Sequence, residues 1–126
     1  MARKTSTTGP TIEQGLRHLA LKSRNLGVTE RFYVETLGLR VAFPHRGMLF
    51  LETPGSGDLL NFVETRRRFD PRAGGFDHFG LRIGRREWTG LAAHLRRAGV
   101  PIRGRRGRSA VYIEDPNGYT VELYRD

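Results

Sequence analysis

Cysteine is absent from the 126 residues. That removes disulfide frameworks, zinc–thiolate sites, iron–sulfur clusters and a cysteine nucleophile together. No apolar run approaches the ~18–20 residues that cross a bilayer. The opening stretch MARKTSTTGP lacks the apolar core of a signal peptide, so the expected compartment is the cytoplasm, with no membrane partner. Lysine is nearly missing too: only Lys4 and Lys22 stand among 22 basic residues, leaving 20 arginines. Acidic residues number 13, for a net charge of +9. Such a surplus raises nucleic acid as a partner. No arm or single helix collects it, however; short clusters lie at Arg66–Arg68, Arg85–Arg86, Arg96–Arg97 and Arg103–Arg108. A solvated surface is the favoured reading, and a nucleic-acid footprint and an acidic small substrate are the lesser ones.

What is present is globular composition, 37% hydrophobic and 28% charged, in a chain long enough for one domain. Residues 1–13 are polar and threonine-rich and read as a flexible tail, leaving residues 14–126 as a single domain. Within it the chain repeats itself. Leu16–Lys22 alternates as a strand, with Leu19 and Leu21 on one face and His18, Ala20 and Lys22 on the other. Val28–Leu37 has helical spacing and stops at Gly38. Leu39–Phe43, Met48–Thr53 and Leu59–Glu64 read as strands separated by Pro/Gly-rich turns.

The same order recurs: a strand over Phe76–Ile83, a helix over Glu87–Arg97 stopped by Gly99, then strands over Pro101–Arg105, Ser109–Glu114 and Tyr119–Arg125. Landmarks keep a nearly constant offset, with His18 to His78 at 60 residues, Gly38 to Gly99 at 61 and Pro54 to Pro116 at 62. The expected fold is therefore α+β, two βαβββ modules over about 15–64 and 76–126. Neither module is large enough to bury a core alone, so they should pack as a pseudo-twofold pair or exchange between chains.

Alternation also selects chemistry. His18 and His78 occupy equivalent positions and lie opposite the apolar residues of their strands. In Thr120–Tyr124, Val121 and Leu123 face the helix, which puts Glu122 on the histidine face. A carboxylate in mid-strand is costly if buried without a cation. Two imidazoles and one carboxylate form a set that holds a divalent metal and leaves positions open. Taken singly, each of the three reads as a structural residue; it is the repeat, putting both histidines in register, that favours metal ligation. Parity turns Asn61 and Tyr124 to the same side, with Phe50 and Tyr112 as candidate apolar walls. One of Arg82 or Arg108 could neutralise an anionic oxygen there. His45, in a turn, and His94, on the second helix, read as surface residues, although His45 could overhang the cavity.

The segments HLAL at His18, ERFYVETLGL after it, DHFGLRI at His78 and SAVYIEDPNGYTVELY near the C-terminus resemble the vicinal oxygen chelate superfamily. This group holds glyoxalase I, type I extradiol dioxygenases, fosfomycin-modifying thiol transferases and bleomycin-resistance proteins. The resemblance runs from Leu16 to Tyr124 and implies paired βαβββ modules in an incomplete barrel. By position it carries the metal-ligand role onto His18, His78 and Glu122, with Glu122 also the catalytic candidate. The implied cofactor is a divalent metal ion (Fe(II), Mn(II), Ni(II) or Zn(II)), and the implied partner is a small substrate chelating through adjacent oxygens. Homodimerisation with sites shared between chains is expected. A fourth ligand would fall opposite Glu122, at Leu60 or Asn61, and neither is a carboxylate, which leaves three ligands. The reaction is open among lyase or isomerase, oxygenase and thiol transfer. A non-catalytic protein of this fold that sequesters an antibiotic is the second expectation, and a basic nucleic-acid binder the third.

Overall fold

The computed structural model describes residues 11–126, and most of the expected tail lies outside the described residues. The first module contains β1 (His18–Ser23), α1 (Leu26–Arg31), which continues as a π-helical turn over Phe32–Thr36, β2 (Arg40–Phe43), β3 (Met48–Glu52) and β4 (Leu59–Glu64). The second contains β5 (His78–Arg82), α2 (Arg85–Trp88), α3 (Leu91–Arg97), β6 (Gly104–Arg106), β7 (Ala110–Glu114) and β8 (Thr120–Tyr124). Each module forms its own four-stranded mixed sheet, ordered β1-β4-β3-β2 and β5-β8-β7-β6. The first and last strands of a module pair in parallel and the other pairs are antiparallel. The repeat in the sequence is thus a repeat in topology, and the two sheets are not closed into a barrel.

Local chemistry accounts for where elements depart from their expected bounds. β1 begins at His18 rather than Leu16, because Gln14 and Gly15 both take positive φ (60° and 68°) and Leu16 is left exposed. The first helix starts earlier than Val28, since the Asn25 side chain caps it by accepting from the Val28 amide at 3.0 Å. It then widens to π-helix before Gly38, whose φ of +76° suits the left-handed stop. The second helix, expected to be continuous over Glu87–Arg97, is two pieces. Gly90 sits between them with φ −92° and ψ 1°, out of helical geometry, and glycine carries the weak helix propensity that lets the break occur.

One face of each sheet is covered. Leu49, Leu51, Leu60 and Phe62 pack with Tyr33 from the π-helical turn. In the second module Val111, Ile113, Val121 and Leu123 pack with Leu91 and Leu95 of α3. The modules also share core, for Tyr119 joins the first cluster while Phe32 and Leu37 lean on the second. Strand alternation then leaves the opposite, open face of each sheet to His18 and Asn61 in the first module and to His78 and Glu122 in the second.

The turn at 115–119 locks the modules together. Tyr33 donates its hydroxyl hydrogen to Asp115 Oδ2 at 2.7 Å, and the amides of Asn117 and Tyr119 both donate to Oδ1 at 2.9 Å. The Tyr119 hydroxyl donates to the Lys22 carbonyl at 2.8 Å, and the Lys22 amide donates back to it at 3.1 Å. Burial drives the Asp115 carboxyl above its ordinary pKa despite these donors, and drives the buried Tyr33 phenol well above its own. His94, expected at the surface, is half-buried instead. Its Nε2 donates to the Thr36 carbonyl at 2.7 Å, because α3 packs beside the end of the first module's helix.

Candidate functional site

In the first module β1 and β4 run in parallel with Ala20 beside Asn61. In the second, β5 and β8 run in parallel with Gly80 beside Glu122. The position opposite Glu122 is therefore Asn61, not Leu60, which is buried in the core. His18 precedes Ala20 by two residues, as His78 precedes Gly80, so each open face carries a histidine next to a polar side chain from the module's last strand.

The two polar pairs differ in charge. On the first sheet the Asn61 amide nitrogen faces His18 Nε2 at 2.6 Å. Asn61 is 1% exposed, and its Oδ1 is buried with no hydrogen-bond partner. On the second sheet His78 donates through both ring nitrogens, to Asp77 Oδ2 at 2.6 Å and to Glu122 Oε1 at 3.0 Å. Carboxylate oxygens only accept, so both contacts favour the protonated ring, and the Asp77 carboxylate, with Glu122 adding to it, holds His78 above its ordinary pKa. The other carboxylate oxygen, Glu122 Oε2, accepts from Arg106 at 2.5 Å. Arg106 is the larger cause, and His78 the smaller, of a Glu122 pKa below the usual carboxylate range. Glu122 is 9% exposed and thus a buried carboxylate with a cationic donor on each oxygen.

Aromatic residues surround both pairs. Phe50 lies beside Asn61 in register and stacks on Phe43 with ring centres 4.5 Å apart. The His45 ring meets Phe50 edge-on at 5.5 Å, so this turn histidine sits against the Phe50 wall. Tyr112 is the register partner of Glu122, and its ring meets His78 edge-on at 5.6 Å. Tyr124 lies over Gly80, where a Cβ would approach its ring to 3.1 Å.

Of the arginines singled out from sequence, Arg82 pairs with Asp126, and Arg108 is exposed, its backbone carbonyl accepting from Arg125. The arginine on Glu122 is Arg106, which the sequence reading did not select, and Asp77 was likewise not selected. Adjacency to His78 was the available signal for Asp77. Arg106 offered none, because a three-residue strand is too short for alternation to assign a face.

The donor chemistry suits a divalent cation. His78 Nε2 and Glu122 Oε1 converge at a separation that one ion could bridge after the shared proton leaves. The third candidate, His18, belongs to the other sheet. His18 and His78 both line a cleft of about 310 Å³ between β1 and β5. Among the described residues no group of three His, Cys, Asp or Glu side chains is placed to hold a metal ion. Within one chain, His78 and Glu122 are brought together, while His18 is paired with Asn61 instead. Among the described residues no helix is long and apolar enough to cross a membrane.

Paired βαβββ modules with histidines in register and a carboxylate on the closing strand define a protein of the glyoxalase-like class. The chain belongs to the Glyoxalase/Bleomycin resistance protein/Dioxygenase superfamily, whose match spans residues 15–123. Solved structures share the fold. An integron cassette protein from the mobile metagenome of the Halifax Harbour sewage outfall is 25% identical, with 90% of this chain and 99% of that one covered and a TM-score of 0.74. A glyoxalase/dioxygenase from Nostoc punctiforme is 17% identical, with 98% and 99% covered and a TM-score of 0.79. A lactoylglutathione lyase from Agrobacterium tumefaciens is 21% identical, with 91% and 96% covered and a TM-score of 0.70. No curated protein matches the chain.

Proposed function

We propose that this chain is a divalent-metal-dependent enzyme of the glyoxalase/dioxygenase type that binds a small substrate through adjacent oxygens. The observation that carries the reading is the convergence of His78 Nε2 and Glu122 Oε1, 3.0 Å apart on the open face of the second sheet. His18, at the equivalent place on the first sheet, is the third ligand, supplied by a second copy of the chain. Two copies related by a twofold axis would bring the first sheet of one against the second sheet of the other and form two sites. A divalent cation held there supplies Lewis acidity toward charge that develops on substrate oxygen.

The chain's own residues set the rest. Asp77 orients the His78 ring through Nδ1, which leaves Nε2 directed at the site. Phe50 and Tyr112 supply apolar walls on either side and exclude water. Asn61 brings a neutral amide where Glu122 brings charge, so the complete set holds one carboxylate rather than two.

Calorimetric titration of the purified protein with Zn(II), Ni(II) and Mn(II) tests the reading, with about one ion per chain expected. Co-expressed His18→Ala and Glu122→Ala chains should regain one site per mixed dimer, because both lesions fall together in the other. Failure of every cation to bind would sink the enzyme reading; binding without rescue would place the site within one chain. Oxygen uptake with a catechol panel then separates an oxygenase from a lyase, which methylglyoxal with thiols would reveal.

A second reading has its own observation. The Phe43–Phe50 stack, with Phe43 45% exposed, offers an aromatic shelf that needs no cation. A sequestering protein would bind an aromatic or cationic antibiotic equally well before and after metal stripping.

A further inference from the structure

Glu122 holds two cationic donors, and only one of them, His78, is itself a candidate ligand. Arg106 comes from β6, two strands away from Glu122 in the order β8-β7-β6. Its register partner on the intervening strand is Ala110, whose small side chain leaves the sheet face low enough for a long side chain to lie across it. The guanidinium ends on Glu122 Oε2 and also meets the Tyr112 side chain. Its own side chain remains 57% exposed while that of Glu122 is 11% exposed. Arg106 Nη1 also donates to Ser109 Oγ at 3.3 Å, so each terminal nitrogen has one partner, while the exposed side chain keeps its remaining N–H donors toward the open side. A guanidinium presents five N–H donors in a planar fork matched to carboxylate and phosphate oxygens, and it does not lose its charge.

We propose that Arg106 is the anion-recognising residue of this site: it neutralises Glu122 when no cation is bound and passes to an acidic group of the substrate once Glu122 is engaged by a cation. The substrate class is a small chelator that carries a carboxylate, phosphate or phosphonate besides its chelating oxygens. The inference rests on the cation reading above. Electrostatics drives the exchange. A divalent ion on Glu122 repels a neighbouring guanidinium at short range, and an added anion restores the balance. Cation and acidic substrate then bind with positive linkage, while cation and Arg106 compete for one carboxylate.

Two calorimetric measurements test this on the whole protein. In the first, Arg106→Gln should bind Zn(II) several-fold more tightly than the parent, since a competitor for Glu122 is gone. In the second, Zn(II)-loaded protein is titrated with catechol and with 2,3- and 3,4-dihydroxybenzoate, which share the chelating diol and place a carboxylate at two positions. The parent should prefer at least one of the acids over catechol by about tenfold or more, and Arg106→Gln should lose that preference, read as the ratio of acid to catechol affinity within each protein. Arg106→Lys, which keeps the charge without the fork, should retain only part of it. Unchanged Zn(II) affinity together with an unchanged preference in Arg106→Gln would overturn the proposal and leave the cation reading standing. Absence of Zn(II) binding in both proteins would overturn the two together.

Discussion

The two modules share topology and register, yet their open faces differ in charge. The first carries His18 beside a neutral amide, Asn61; the second carries His78 beside Glu122, with Asp77 and Arg106 attached. Duplication supplied two copies of a scaffold, and the chemistry follows from what was not kept equal. Buried charge makes the difference. Asn61 is buried at no ionic cost, whereas Glu122 is tolerated only because cationic donors reach both its oxygens. The halves are thus unequal in what they demand: in the second, Arg106 and His78 supply the positive charge that the buried carboxylate calls for.

Several substitutions would break or sharpen this contrast. The largest effect belongs to Glu122. Glu122→Gln removes the carboxylate and leaves an amide there, as on the first face, and should abolish measurable Zn(II) binding, whereas Asn61→Ala should weaken it less than about tenfold, roughly 1.4 kcal/mol. Titration calorimetry reads both, and comparable losses in the two variants would mean that the faces contribute equally.

Next come the turns that precede the last strand of each module. Asp115→Ala strips the acceptor from Tyr33 and from two amides in a buried setting and should cost about 2–4 kcal/mol. Thr53→Ala, in the corresponding turn of the first module, should cost less than about 0.5 kcal/mol, because that turn is held instead by the Asp58 side chain on the Thr53 amide. Urea denaturation distinguishes them.

Asp115 also has a pH signature opposite in sign to that of Glu122. Its carboxyl is raised in the folded chain by burial, so its share of stability is fully present below the unfolded pKa of about 3.9 and is lost as pH rises through the raised folded value. Asp115→Asn should remove that decline, seen as a flatter urea midpoint from about pH 4 upward. A parent and variant with parallel pH profiles would show that the carboxyl is not desolvated.

The smallest effect separates Ala20 from Gly80, which occupy matching places in β1 and β5. A methyl group at Gly80 would press on the Tyr124 ring, so Gly80→Ala should cost at most about 1 kcal/mol. Its clearest readout is a shift in the Tyr124 ring resonances, with Ala20→Gly leaving them unchanged.

Alternation made the fold and the open faces readable because side chains in a strand change sides at every residue, a rule independent of tertiary context. β4 occupies the expected Leu59–Glu64, and Glu122 faces away from Val121 and Leu123, which are buried on the other side. Register is another matter. Whether Leu60 or Asn61 stands opposite Glu122 depends on turn lengths that no local pattern fixes, and parallel pairing settled it at Asn61. The break at Gly90 escaped notice because the apolar spacing of Trp88, Leu91 and Leu95 continues across it. Arg106 escaped because its role is made by a reach across two strands, which is tertiary. His94 read as a surface residue because its partner is a backbone carbonyl, that of Thr36, and backbone groups leave no trace in a sequence.

The docked turn at 115–119 has a consequence for synthesis. The first module's core is closed by Tyr119, and its Tyr33 hydroxyl is satisfied by Asp115. A ribosome releases β1 to β4 well before either residue exists. The nascent first half must therefore wait with Phe62 and Tyr33 incompletely covered, a window in which chaperones, or the same segment of a neighbouring nascent chain, can engage them.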